Sequence, residues 1–76
     1  SMYPSPVHSD LNIVLNENNS QVRIEILDIT GKLIQTNKIE TTMKEVSMNV
    51  SSLAAGSYLV RIINGDKLSI GRFVKN

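Results

Sequence analysis

Short stretches in which apolar residues fall on alternate positions, each closed by turn-forming residues, constrain this chain more than any other feature. Val22, Ile24 and Ile26 alternate with Gln21, Arg23 and Glu25. This period of two describes a strand with one packed face and one wetted face. Leu11, Ile13 and Leu15 repeat the pattern, as do Val46, Met48 and Val50. From Ser57 to Ile63, Tyr58, Val60 and Ile62 share one face, and Leu59, Arg61 and Ile63 share the other. Apolar residues on both faces place that strand at the centre of a sheet. Leu33, Ile34 and Ile39 mark a further strand whose facing the pattern leaves open. Leu68 and Ile70 carry one parity and Phe73 the other, which predicts a bulge at Gly71. No segment sustains a helical period.

The turns are as regular as the strands. Glu17 to Ser20 and Glu40 to Thr42 read as polar turns. Asp28-Ile29-Thr30-Gly31 suits a type I turn, with aspartate first and glycine fourth. Ser51 to Gly56 reads as a corner between sheets. Asn64-Gly65 predicts a tight hairpin with positive φ at both residues. In Tyr3-Pro4-Ser5-Pro6-Val7 each proline drives its predecessor toward extended geometry, so the segment is a stiff approach rather than a helix. Six strands follow, or seven if the Pro4–Val7 region pairs at an edge. Turn signals at such spacing predict an all-β, immunoglobulin-like or fibronectin-like antiparallel sandwich.

The size of the chain bears on what such a sandwich can do. At 76 residues it supports one core, which rarely supplies more than about 3–5 kcal/mol. Little stability is left over for a strained catalytic site. Eight basic and seven acidic residues are mixed along the chain, so the clustered basic face of a nucleic-acid binder is missing. There is no cysteine, which excludes disulfide and thiolate-metal frameworks. No apolar run approaches the ~20 residues of a membrane-spanning helix. Ser1-Met2 reads as a vector-derived start, leaving residues 3–76 as a single domain cut from a larger chain.

Candidate chemistry is sparse. Ser5, His8 and Asp10 supply the residue types of a hydrolase triad, but a triad is a matter of geometry. Three residues on a proline-rich approach have no rigid scaffold, so His8 is expected in solvent and no residue is assigned a catalytic role. One histidine, with Asp10, Asp28 and Asp66 far apart, matches no metal-ligand spacing. Gly31, Gly56, Gly65 and Gly71 each stand alone, so no phosphate-binding loop exists and no cofactor is expected. Asn18-Asn19-Ser20 and Asn49-Val50-Ser51 fit the glycosylation tripeptide, a pattern common by chance. Tyr58 opens a strand just after a leucine-containing corner. A buried ring with its hydroxyl bonded to upstream backbone near Leu53 is the structural role expected of it.

The ordered series is more specific than its parts. Pro4 and Pro6 precede Leu11-Asn12-Ile13, then comes Val22 to Leu33 with Asp28 and Gly31 at its turn. Val50-Ser51-Ser52-Leu53-Ala54-Ala55-Gly56-Ser57-Tyr58-Leu59-Val60 follows, and Arg72-Phe73-Val74-Lys75 comes near the end. This resembles the type A C-terminal sorting domain of the type IX, or Por, secretion system of Bacteroidetes-type bacteria. The likeness covers nearly the whole chain. Ser5 stands where the family usually has asparagine, and Gly71-Arg72 where it often has paired basic residues.

The resemblance implies a domain that is cargo-borne and not an enzyme. It implies covalently linked N-terminal cargo, a periplasmic stage, and reading of the folded domain by an outer-membrane translocon. In many members a sortase-like protease then removes the domain, and the cargo ends at the cell surface or outside the cell. Arg72, Phe73, Val74 and Lys75 are the expected recognition residues, with Lys75 expected to be an exposed charge. Pro4, Pro6, Asp28, Gly31, Leu53, Gly56 and Tyr58 are the expected structural motif. The alternative is an immunoglobulin-like accessory module that binds carbohydrate or spaces a catalytic domain. Against it, the chain's aromatics are only Tyr3, Tyr58 and Phe73.

Overall fold

The alternating stretches form strands that sort into two antiparallel sheets. The computed structural model describes residues 2–3, 6–15, 21–40 and 44–76, with the backbone alone at Tyr3. Among these the elements are β1 (Met2–Tyr3), β2 (Asp10–Val14), β3 (Gln21–Asp28), β4 (Leu33–Glu40), β5 (Glu45–Asn49), β6 (Gly56–Asn64) and β7 (Lys67–Lys75). One sheet has the order β1-β2-β5 and the other β4-β3-β6-β7. The chain changes sheet after β2, after β4 and after β5, so both sheets are stitched from distant segments. Pro4, Ser5, the Glu17–Ser20 turn with its Asn18-Asn19-Ser20 tripeptide, and most of the Glu40–Thr42 turn lie outside the described residues.

Burial follows the predicted parity. Leu11, Ile13, Val46, Met48 and Val50 of the three-stranded layer meet Val22, Ile24, Ile26, Tyr58, Val60 and Phe73 of the four-stranded layer in one core. In register, Leu11 lies opposite Met48, and Ile26 opposite Val60. Full burial of each such side chain is worth about 1.5–3 kcal/mol. The approach segment contributes too, since Val7 is fully buried in the same core. β6 lies between β3 and β7, as its two apolar faces predict. Its outward Arg61 donates from Nε to Glu25 Oε1 at 2.6 Å, and Arg23 Nε stands 3.6 Å from Glu25 Oε2. This arch explains why Glu25 is buried on the outer face of an open sheet.

Four details differ from the sequence reading. No bulge occurs at Gly71: β7 pairs with β6 in continuous register from Asn64↔Lys67 to Gly56↔Lys75. Leu68 and Ile70 simply remain outside, and Gly71 keeps the inward parity of Phe73. The end of the Met2 side chain lies against Gly71 where a Cβ would stand, so a larger residue there would have to displace that flexible methyl group. The irregularity sits instead between Ile26 and Leu27 against β4. That shift resolves the facing of β4, where Ile39 is inward and Leu33 outward.

The third detail is the β6–β7 hairpin. Asn64 still pairs with Lys67, so the two-residue loop is Gly65-Asp66 rather than Asn64-Gly65. Positive φ occurs at Gly65 (65°) and, among the described residues, at no non-glycine residue. Glycine first and a negative φ second is the signature of a II′ hairpin turn. Asn64 thereby extends the strand by one pair.

The seventh pairing also falls differently. β1 holds Met2 and Tyr3 against Ile13 and Asn12 of β2, while Val7 makes an isolated parallel bridge to Lys75. The approach segment therefore touches both layers.

Candidate functional site

Register places the residues singled out by sequence at one end of the sandwich. Asp28 ends β3 opposite Tyr58, and Tyr58 lies opposite Phe73. Gly56 lies opposite Lys75 two rungs further on. The β3–β4 turn, the 50–56 corner and the end of β7 therefore share a rim.

Asp28 organises the first turn. Its Oδ1 accepts from Thr30 Oγ1 at 2.6 Å, from Thr30 N at 2.9 Å and from Lys32 N at 3.0 Å. Its main chain accepts from Gly31 N at 3.0 Å and donates to Lys32 O at 2.9 Å. A carboxylate collecting that many donors is stabilised as the anion. The Thr30 hydroxyl, then the Lys32 N–H, hold its pKa below the ordinary aspartate value. Gly31 takes φ +92° at the end of this turn, and Gly56 takes φ +151° at the start of β6. Both are backbone conformations that side chains rarely adopt.

The corner is fixed from both sides. Leu53 N donates to Val50 O at 3.0 Å, and Asn49 Oδ1 accepts from Ser51 N at 3.0 Å and Ser51 Oγ at 2.6 Å. Tyr58 donates its hydroxyl hydrogen to Ala54 O at 2.7 Å, one residue beyond the predicted vicinity of Leu53. Its ring is buried and stacks on Phe73 at 5.4 Å between centroids. The half-buried Leu53 packs against the core.

The four terminal recognition residues divide by parity. Arg72 and Val74 are exposed on the outer face, and Phe73 and Lys75 are buried. The exposed Lys75 expected from sequence is thus corrected: it is 7% exposed, and its Nζ donates to the main-chain oxygen of Asn76 at 2.8 Å. The reason is strand parity, since Lys75 falls two residues after inward Phe73. Val7 clamps this segment, donating to Val74 O at 2.8 Å and accepting from Asn76 N at 2.9 Å. The sequence reading missed this clamp, for which an apolar Val7 directly after Pro6 was the one signal the sequence offered. Pro6 itself is exposed.

The other candidate chemistry does not assemble. His8 and Asp10 are exposed, and Ser5 lies outside the described residues. No cluster of three histidine, cysteine or carboxylate groups occurs among the described residues. A shallow open cleft at the opposite end is lined by residues such as Gln21, Arg23, Lys38, Glu40 and Asn64, and includes none of the predicted site residues.

Known proteins extend the picture. The chain is similar to the crystal structure of CopC from Methylosinus trichosporium OB3b, at 22% identity and a TM-score of 0.58 over 93% of this chain and 79% of that one. Identity that low supports the sandwich fold alone. No curated protein sequence is significantly similar to the chain. Residues 1–76, however, match the family described as "Secretion system C-terminal sorting domain". The chain accordingly belongs to the family of C-terminal sorting domains of type IX secretion, a family of non-catalytic sorting signals.

Proposed function

We propose that this domain is of type A and is read as a folded unit by the outer-membrane translocon while attached to N-terminal cargo. The cargo waits in the periplasm and ends at the cell surface or in the medium, where a sortase-like protease removes the domain. Residues 3–76 act as the sorting unit. The observation that carries this reading is the shared rim, where the Asp28 turn, the Tyr58 corner and the β7 end meet within adjoining strands. A reader that contacts all three responds only to the folded state. Recognition centres on Arg72 and Val74 outside, with Phe73 and Lys75 holding them in place. A carbohydrate platform is less well supported, because Tyr58 and Phe73 turn into the core and offer no stacking face.

The test is a periplasmic reporter fused to residues 3–76 in a type IX-competent bacterium. The fusion should reach the surface or medium, and deletion of Phe73–Asn76 should strand it in the periplasm. A parent fusion that stays periplasmic would remove the sorting reading.

A further inference from the structure

We propose that the outer edge of β7, from Leu68 to Arg72, takes up an acidic extended segment of the export apparatus as a fifth strand of the β4-β3-β6-β7 sheet. This rests on the sorting reading and specifies which surface the reader grips.

The backbone directions come from the Val7 clamp. Val74 O and Asn76 N point away from β6, toward Val7. N–H and C=O of one strand residue point to the same side, and alternate residues repeat that side. Register with β6 is continuous, so the amides and carbonyls of Leu68, Ile70 and Arg72 face the same open edge. β7 ends the sheet. Among the described residues, Val7 seals its last rungs and leaves Leu68–Arg72 uncovered.

The other edges are guarded. β4 carries the irregularity against Ile26 and Leu27, and its Gln35 Nε2 donates to Asn49 O of β5. That contact ties the β4 and β5 edges together. β1 has two residues. Bulges, cross-links and shortness are the usual protections of sheet edges. Over Leu68–Arg72 β7 has none of these three, and the exposed charge of Arg72 is its one guard. It is a nine-residue strand without proline, and Leu68 and Ile70 beside the open edge are 58% and 68% exposed. A long, regular, apolar edge left open is a template for strand addition.

Charge identifies the occupant. β7 reads Lys67-Leu68-Ser69-Ile70-Gly71-Arg72-Phe73-Val74-Lys75, without a carboxylate, and over Leu68–Arg72 its one charge is the exposed Arg72. A second copy laid on this edge would add a basic strand to a basic strand, and like charges across a strand pair are destabilising. A segment with apolar side chains beside Leu68 and Ile70 and a carboxylate beside Arg72 matches every outward residue.

Proline separates edge from fold. At Ile70 it removes an N–H aimed at the open edge, a position where strands tolerate it, and leaves the β6–β7 ladder intact. Ile70→Pro and Arg72→Glu are compared with the parent in the reporter fusion, and each purified domain is checked by thermal unfolding. Secretion should fall by about tenfold in both, the scale of one lost main-chain hydrogen bond or ion pair in a binding step, with folded reporter retained in the periplasm. Parental secretion of a folded Ile70→Pro domain overturns the proposal. If Ile70→Pro does not fold, Arg72→Glu decides, and parental secretion there overturns it equally. A parent that is not secreted removes the sorting reading and this proposal with it, whereas a secreted parent with secreted variants removes the edge and the recognition role of Arg72 and leaves the sorting reading standing. Dimeric parent domain in sedimentation, made monomeric by Ile70→Pro, would assign the edge to a second copy and also overturn the proposal.

Discussion

Tyr58 and Phe73 face each other across β6 and β7 with ring centroids 5.4 Å apart and planes 19° from parallel. The Tyr58 hydroxyl simultaneously donates to Ala54 O at 2.7 Å. One side chain thus joins the corner, the central strand and the terminal strand. Tyr58→Phe should keep the stack and lose the hydrogen bond, lowering stability by about 1 kcal/mol. Phe73→Ala should cost about 3–5 kcal/mol, most of what so small a core supplies. Chemical denaturation measures both, and equal losses in the two variants would contradict the division of roles.

The turn glycines give a second prediction. Gly31→Val and Gly56→Val each force a β-branched residue into positive φ, at a cost of about 1–3 kcal/mol. No atom crowds either position within 4 Å, so the loss is conformational rather than steric. For a domain of this length each kcal/mol lowers the melting temperature by about 4–8 °C. Parental melting temperatures in both variants would refute the turn geometry.

Asp28 makes stability depend on pH in a defined direction. Its native pKa lies below its unfolded value, chiefly because the Thr30 hydroxyl and the Lys32 N–H bond the anion. The stabilisation is fully present above the unfolded value, about 3.9, and is lost as pH falls through the lower native value. Asp28→Asn should therefore melt below the parent at neutral pH, with the gap closing under acid conditions. A gap that stays constant from neutral pH to pH about 2 would show that the carboxylate does not bind as described.

Strand identities were legible because period-two burial is a local property. Val22, Ile24 and Ile26 turn inward whatever lies opposite. The D-x-x-G turn and the tyrosine corner were legible for the same reason, since their bonds span at most four residues. The rest depended on distant partners. Gly71 suggested a bulge, yet what it meets is the end of the Met2 side chain, brought there from the far end of the chain. Lys75 suggested an exposed charge by its residue type. Its burial is set by inward Phe73 two residues earlier and by Val7, 68 positions away in sequence, bridging to it. The Ile26–Leu27 shift likewise arises from pairing with β4 and leaves no mark in the β3 pattern.

The parity of the terminal strand yields the last prediction. Arg72 and Val74 are exposed, so Arg72→Ala and Val74→Ser should change stability by no more than about 0.5 kcal/mol. Lys75→Ala removes a buried stem, and with about 0.8 kcal/mol per buried methylene, partly offset by the cost of burying an ammonium, the net loss should be about 1–2 kcal/mol. Lys75→Met keeps most of that apolar volume and should retain stability. In the reporter assay the outward pair should impair secretion while the domain stays folded. Lys75→Ala should impair it in proportion to the unfolded fraction, and Lys75→Met should restore it. Loss of secretion in a stably folded Lys75→Met domain would instead assign the ammonium itself to recognition, and parental secretion in both outward variants would remove Arg72 and Val74 from the recognised surface.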